Sequence, residues 1–130
     1  MSELPNPTCW PTLACHDAPA FIDFLVTLGF ERTAVYETDG LVDHAQLSWP
    51  EGGGVMLGSY TPDKVWSIKP GTAGIYVVTD DPDGVRERAL TTKAEVGEME
   101  EQDYGSRDVR LRDPEGNLWS FGTYRGEPRS

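Results

Sequence analysis

The feature that most constrains this sequence is an internal repeat. Residues 44–60 read HAQLSWPEGGGVMLGSY and residues 108–124 read DVRLRDPEGNLWSFGTY, an offset of 64 positions. When the two stretches are laid over each other without a gap, both have Leu, Pro, Glu, Gly, Gly and Tyr at matching positions. A repeat of this length indicates a fold built from two similar supersecondary units.

Each copy of the repeat reads as a strand, a helix and three further strands. In the second copy, Val109 and Leu111 alternate with polar residues, which is the period of a half-buried strand. Residues 113–116 (DPEG) form a tight-turn sequence, and a second alternating run follows it. Asp17 and Asp81 each precede a proline by one or two positions, and this pattern predicts two helix starts.

The repeat therefore predicts one α+β domain over residues 1–130, made of two βαβββ modules. The modules cover about residues 9–60 and 73–124, and residues 61–72 link them. We predict strands at 9–16, 31–37, 41–48, 55–59, 73–79 and 94–99 and in the second hairpin, helices from Asp17 to Gly29 and from Asp81 to about Thr92, and a loop at 100–106.

Charge and hydropathy limit the functions open to the chain. The net charge of −11 argues against nucleic acid, whose binding depends on basic side chains, and it favours cationic ligands over anionic ones. No apolar run is long enough to span a bilayer and the N-terminus has no signal-peptide pattern, so we expect no membrane partner and a cytoplasmic location.

The two cysteines are expected to be free thiols. If Cys9 and Cys15 both lie on the first strand, their Cα atoms are roughly 20 Å apart, far beyond the reach of a disulfide. Cys15 shares the parity of Leu13 and is expected in the core.

The repeat and its turn resemble the vicinal oxygen chelate superfamily, which includes glyoxalase I, bleomycin and fosfomycin resistance proteins and extradiol dioxygenases. The stretches that carry the resemblance are DAPAFIDFLVTLGFE, HAQLSWPEGGGVMLGS and YGSRDVRLRDPEGNLWSFGTY, and they are most similar to the bleomycin-resistance-like branch. The resemblance implies cup-shaped mixed sheets with one helix on the outer face of each. It also implies a homodimer, because small members usually complete their cups across two chains.

Strand parity then assigns side chains to the helix-covered face or to the cup. The predicted core residues are Leu13, Ala45, Leu47, Val55, Leu57, Ile75, Val77, Val109, Leu111, Trp119 and Phe121. The predicted ligand site comprises Trp10, His44, Gln46, Met56, Tyr76, Arg110, Leu118 and Ser120 from the strands, and Trp66 from the linker.

Enzymes of the superfamily hold a divalent metal with His, Gln or Glu on the first and last strands of each module. In this chain those positions are Trp10, Met56, Gly74 and Ser120, or Pro11 and Ile75 on the first strands if the register shifts by one. These side chains are not ligands for the metals that the superfamily uses, so we predict no metal and no cofactor.

Several candidate residues keep two interpretations. His44 can contact a ligand or act as a general base near neutral pH, or it can be an ordinary hydrogen-bonded sheet residue. Trp10 and Trp66 can stack on a ligand or close the core as aromatic plugs. Arg110 and Arg112 can clamp an anionic group or form an outward strip of ion pairs.

The sequence favours a protein that binds and sequesters a small molecule without changing it. The expected ligand is flat, partly apolar, and neutral or cationic, such as a glycopeptide or quinone-like antibiotic. Two alternatives stay open: a metal-dependent lyase or dioxygenase of the same superfamily, and a metal-free enzyme that uses His44 as its base.

Overall fold

The computed structural model describes residues 6–128 of the chain. The elements in chain order are β1 (Thr12–Cys15), α1 (Ala18–Leu28), β2 (Glu31–Thr38), β3 (Leu41–Ser48), β4 (Gly54–Ser59), β5 (Gly74–Val78), α2 (Pro82–Ala89), β6 (Glu95–Val96), β7 (Glu100–Glu101), β8 (Arg107–Arg112) and β9 (Leu118–Gly122). The fold is α+β, with two mixed sheets and one helix packed on each, as the repeat predicts.

The two sheets have the same topology and the same register. The first sheet has the order β1-β4-β3-β2, and the second has the order β5-β9-β8-β6, with β7 also paired to β8. Thr12 lies opposite Met56 in the first sheet, and Tyr76 lies opposite Ser120 in the second, so both pairs differ by 64 positions. We call the elements β1–β4 with α1 the first module, and the elements β5–β9 with α2 the second module.

The helix α1 forms because its start is capped and one of its faces is apolar. The Asp17 carboxylate accepts a hydrogen bond from the Ala20 N–H at 3.2 Å, which satisfies one of the free donors of the first turn. Six of the eleven helical residues are buried, including Phe21 and Leu25, and they attach the helix to the first sheet. Gly29 ends the helix with a φ of 123°, a conformation that favours glycine.

The helix α2 starts in the same way but is shorter and more exposed than α1. The Asp81 carboxylate accepts from the Gly84 N–H at 3.0 Å. Three of the eight helical residues are buried, and the lower apolar content of the sequence predicts this difference. The helix ends at Ala89 rather than near Thr92, because the hydroxyls of Thr91 and Thr92 donate to main-chain carbonyls of the last turn.

A cluster of four aromatic rings joins the two modules. Phe30 and Trp49 come from the first module, and their ring centroids are 4.8 Å apart. Trp119 and Phe121 come from the second module. The Trp119 ring centroid lies 5.8 Å from that of Phe30, and the Phe121 ring centroid lies 5.7 Å from that of Trp49. The Trp49 indole N–H also donates to the carbonyl of Val78 at 3.1 Å, so the junction is both packed and hydrogen-bonded.

The hairpin turn of each module contacts the start of the other module's helix. The Glu115 carboxylate accepts from the backbone N–H groups of His16 and Asp17, both at 2.8 Å. At the position 64 residues earlier, the Glu51 carboxylate accepts from the Asp80 N–H at 2.9 Å. The His16–Glu115 and Asp80–Glu51 contacts are related by the repeat offset, whereas the contact from the Asp17 N–H has no counterpart because the Asp81 N–H donates to the Thr79 hydroxyl.

Some predicted boundaries are wrong. The first strand covers residues 12–15 rather than 9–16. The predicted strand at 94–99 forms only at Glu95–Val96, and the predicted loop at 100–106 begins with the short strand β7. The interruption lies at Gly97, whose carbonyl accepts from the Arg86 guanidinium at 2.8 Å and so turns toward α2.

The structure also bears on the state of the two cysteines and on the length of the helices. Cys9 is exposed and Cys15 is buried, and both are free thiols as predicted, although Cys9 lies before β1 and not on it. Neither of the helices in residues 6–128 is long and apolar enough to cross a membrane.

Candidate functional site

The alternation of strand residues separates a core face from an open face on each sheet. The residues predicted for the core are buried, except Ile75, which is half-buried. Most residues of opposite parity are partly exposed, although Val42, Asp108 and Gly122 are buried. Tyr76 is 42% exposed and Leu118 is 52% exposed. The open faces are therefore the surfaces on which the sequence-predicted ligand residues lie.

The open face of the first module carries a cavity of about 260 Å³. Small residues from β1 and β4 (Thr12, Ala14 and Gly58) form part of its lining, and His44 and Trp66 contribute rings. The Trp66 side chain is 94% exposed, so it does not plug the core. The cavity is also lined by Leu13, Asp43, Leu57, Ser59, Tyr60, Thr61, Ser67 and Ile68.

The His44 imidazole is half-buried and stacks on a ring that the sequence analysis missed. The Tyr36 and His44 rings have centroids 6.2 Å apart and an interplanar angle of 18°. Tyr36 lies opposite His44 in the register of β2 and β3, so both side chains stand on the open face. Because strand pairing puts opposite residues on one face, assigning a face to β2 would have identified Tyr36.

The open face of the second module carries a separate cavity of about 580 Å³. Its lining includes three residues predicted for the ligand site: Arg110, Leu118 and Ser120. The neighbouring Arg112 forms a long ion pair with Glu95 (3.8 Å) and donates to the Gly116 carbonyl at 3.1 Å. Arg110 is in none of the ion pairs within the described part of the chain.

Tyr76 is held beside the C-terminal segment. Its phenol oxygen accepts from the Tyr124 backbone N–H at 3.0 Å. Gly122 makes this approach possible, because a Cβ atom there would lie 2.7 Å from the phenol oxygen. The same atom would lie 2.6 Å from the Cβ of Asp108, which is 5% exposed and accepts from the Gln102 amide at 3.1 Å. Tyr76 also lines a third cavity, of about 290 Å³, between the modules.

The other three predicted ligand residues line none of these three cavities. The half-buried Trp10 lies against Gly54, where an added Cβ would be 3.0 Å from the indole. The Gln46 amide donates to the Ser48 hydroxyl at 3.4 Å. Met56 lies half-buried opposite Gln46 in the sheet. The nine predicted residues are thus divided between two open faces and do not share one cavity.

The positions that hold the superfamily's metal do not fit a metal in this chain. The predicted last-strand positions, Met56 and Ser120, lie opposite Thr12 and Tyr76 on the first strands. The predicted first-strand positions are not their partners, since Trp10 precedes β1 and Gly74 lies opposite Leu118. A thioether, two neutral hydroxyls and a phenol are poor ligands for the hard or borderline divalent ions. Within residues 6–128, no three His, Cys, Asp or Glu side chains come together as a metal-binding group.

The buried thiol does not offer an alternative reactive group. Burial raises the pKa of the Cys15 thiol well above its ordinary range, and the nearby carboxylates of Glu115, Asp113 and Asp17 raise it further. Because the thiolate is the nucleophilic form, Cys15 is a core residue rather than a nucleophile.

A comparison with models of protein families shows which family this chain belongs to. The family model described as Glyoxalase/Bleomycin resistance protein/Dioxygenase superfamily matches residues 9–121. The chain belongs to this superfamily. A search of curated proteins finds no match.

Several solved structures have the same fold. TioX from Micromonospora sp. ML1 is 27% identical, with a TM-score of 0.72 over 88% of this chain and 98% of that one. The bleomycin-binding protein of bleomycin-producing Streptomyces verticillus, solved with copper(II)-bleomycin, is 23% identical, with a TM-score of 0.63 over 98% of this chain and all of that one (100%). A superfamily domain from Frankia sp. EAN1pec is 15% identical at a TM-score of 0.72, covering 95% and 100% of the two chains.

Proposed function

We propose that the protein binds a flat, partly apolar small molecule reversibly and sequesters it without chemical change. The observation that carries this proposal is the first module's cavity, where a small-residue lining meets the rings of His44 and the exposed Trp66. Concave sites that combine apolar walls with a few polar groups are typical of small-molecule binding.

The lining of this cavity suits a planar ring. Thr12, Ala14 and Gly58 project little from the sheet and leave room above it. Trp66 belongs to the linker and is free to stack on a bound ring, an interaction that contributes roughly 0.5–1.5 kcal/mol beyond area burial. Asp43 is the only charged residue in the lining of this cavity, so a neutral or cationic compound is favoured over an anionic one.

We further propose that two chains pair to complete the site. The first cavity, at about 260 Å³, is smaller than a drug-sized ligand needs, and the nine candidate residues are divided between two open faces. A second copy that covers these faces would enclose them and bury the exposed rings. Sedimentation at micromolar concentration should give a dimer, and a monomer alone would contradict this part of the proposal.

The relatives are consistent with a binding role. The Streptomyces verticillus protein is described as a bleomycin-binding protein and was solved with its ligand. By analogy, we propose an antibiotic-like ligand for this chain. We also propose a cytoplasmic location, because free thiols are stable there.

The binding proposal is tested by tryptophan-fluorescence titration against a panel of planar neutral and cationic compounds. At least one compound should bind with a Kd below about 100 μM, since weaker binding would not sequester it. Trp66→Ala and His44→Ala should each weaken binding several-fold. Val65→Ala is the matched control, because Val65 is the neighbouring exposed linker residue and does not line the cavity. Binding unchanged in both cavity variants would contradict the site.

Two measurements separate this proposal from the enzymatic alternatives. Elemental analysis after mild dialysis should find less than one equivalent of divalent transition metal per chain, because the donor positions hold Met56 and Ser120. An enzyme that uses His44 as its base would lose turnover in His44→Ala while keeping most of its ligand affinity. The binding proposal instead requires the affinity itself to fall.

A further inference from the structure

The cavity on the second module's open face contains a cationic group that has no acidic partner. Arg110 lines this cavity of about 580 Å³. Four other arginines of the described residues (Arg86, Arg107, Arg112 and Arg125) form ion pairs with carboxylates. A chain with 22 acidic and 11 basic side chains has acids to spare. Arg32 and Arg88 also lie outside the described ion pairs, so what distinguishes Arg110 is that its unpaired guanidinium lines a cavity.

Comparison at the repeat offset shows that the cation is specific to the second module. The residue 64 positions before Arg110 is Gln46, and the residue 64 positions before Ser120 is Met56. Both pairs lie directly opposite each other in their sheets: Gln46 opposite Met56, and Arg110 opposite Ser120. The same place in the fold thus carries an amide and a thioether in one module, and a guanidinium and a hydroxyl in the other.

The donors next to one another on β8 and β9 match an oxyanion. A guanidinium presents several N–H donors in a planar fork, and a hydroxyl can add one O–H donor. None of the side-chain hydrogen bonds of the described residues involves the Ser120 hydroxyl. Glu95 is the acid that lines this cavity, and it is paired with Arg112 at 3.8 Å. Leu118, which is 52% exposed, gives the same cavity an apolar wall.

We infer that the second module's open face binds a carboxylate or similar oxyanion group of the ligand through Arg110 and Ser120, with the ligand's apolar body against Leu118. This inference rests on the proposed function, because the two cavities contribute to one ligand site only when two chains pair as proposed. It adds that the ligand carries one acidic group, although the molecule as a whole is neutral or cationic. Charge-assisted hydrogen bonds to Arg110 would hold that group in place despite its repulsion by the acidic surface of the protein.

The test compares two probes of the same shape, 2-naphthoate and 2-naphthamide, by isothermal titration calorimetry on the whole chain. The parent protein should bind the carboxylate at least tenfold more tightly than the amide. Arg110→Gln, which restores the side chain of the other module, should remove this preference and leave amide binding within twofold. Ser120→Ala should reduce the preference by a smaller factor.

Arg32→Gln is the matched control, because this substitution removes the same charge as Arg110→Gln. Arg32 is an exposed arginine of β2 and lies outside the described ion pairs. Equal effects of Arg32→Gln and Arg110→Gln on naphthoate, or no preference for naphthoate in the parent, would overturn the inference. The two failures are separable. Amide binding that depends on Trp66 but not on Arg110 leaves the proposed function standing alone. Naphthoate binding that depends on Arg110, with no compound sensitive to Trp66, removes the proposed function instead.

Discussion

The two modules have one topology but differ at the first residue of the hairpin turn. In the second module this residue is Asp113, whose carboxylate accepts hydrogen bonds from the Asn117 N–H and side-chain amide and from the Trp119 indole. In the first module it is Trp49, whose ring packs between Phe30 and Phe121 instead. The turn is thus closed by a buried polar network in one copy and by apolar packing in the other.

This difference shows that the two copies share the turn glycine, the turn glutamate and the strand alternation, whereas each copy closes its turn with a different buried interaction. Those features recur at the repeat offset, while the residue at the turn start changes from acid to aromatic. The open faces diverge similarly, because one carries no arginine in its cavity and the other carries Arg110 and Arg112. The following predictions test the comparison, beginning with the largest effect.

Removing the aromatic turn residue should have the largest effect. We expect Trp49→Ala to lower the free energy of unfolding by about 3–5 kcal/mol, because it opens a cavity in the junction between modules. Urea denaturation monitored by circular dichroism measures the change. Trp49→Phe is the control and should cost less than half as much, since it keeps a ring beside Phe30. A loss below about 1 kcal/mol for Trp49→Ala would mean that the junction does not depend on this ring.

Removing the polar turn residue should cost slightly less. We expect Asp113→Ala to destabilise by about 3 kcal/mol, because the buried N–H groups of Asn117 and Trp119 lose their acceptor. Asp113→Asn keeps one oxygen acceptor and should cost about half of that. If the alanine and asparagine variants unfold at the same urea concentration, the hydrogen bonds of this carboxylate are not what stabilises the turn.

The glutamate that accepts more hydrogen bonds should contribute more to the free energy of unfolding. Glu115 accepts from two backbone N–H groups at the start of α1, and Glu51 accepts from one before α2. We expect Glu115→Ala to cost about 1–2 kcal/mol and Glu51→Ala about half as much, since both acids also sit near helix N-termini. Paired urea titrations test this order, and a larger loss for Glu51→Ala would contradict the two-to-one assignment.

The smallest effect concerns an ion pair found only in the second module. Hydrogen bonds from Arg107 hold the pKa of Asp83 below its ordinary value. A lowered folded-state pKa means that the pair stabilises the fold above the ordinary aspartate pKa of about 3.9, and that this contribution is lost as the pH falls through the lower value. An NMR titration should show the pKa of Asp83 rising in Arg107→Gln, and an unchanged value would refute the pairing in solution.

The sequence predicts the sheets well because strand alternation and turn residues are local signals. Leu47, Val109 and Phe121 are buried as their parity requires. The interruption at Gly97 could not be predicted, because it depends on Arg86, a residue of α2 that reaches the Gly97 carbonyl across 11 positions. The alternation of apolar and polar residues along the strand does not reveal such a contact.

The candidate site was less accessible to sequence reasoning than the fold. Parity placed His44 and Arg110 on the open faces, but it could not tell that they line separate cavities. The position of Trp66 was also beyond the sequence, since residues 61–72 have no periodic pattern that fixes their path. Tyr36 could have been found, because its partner on β3 follows from hairpin register.

The reciprocal contact between turns and helices makes the order of synthesis matter. His16 and Glu115 are separated by 99 positions, so the start of α1 reaches its final hydrogen bonding only when the last hairpin has left the ribosome. High sequence separation of this kind slows folding, because long loops must close before the contacts form. A chain that stops after Gly71 should therefore exchange the amide hydrogens of His16 and Asp17 rapidly, and adding the second half in trans should slow that exchange.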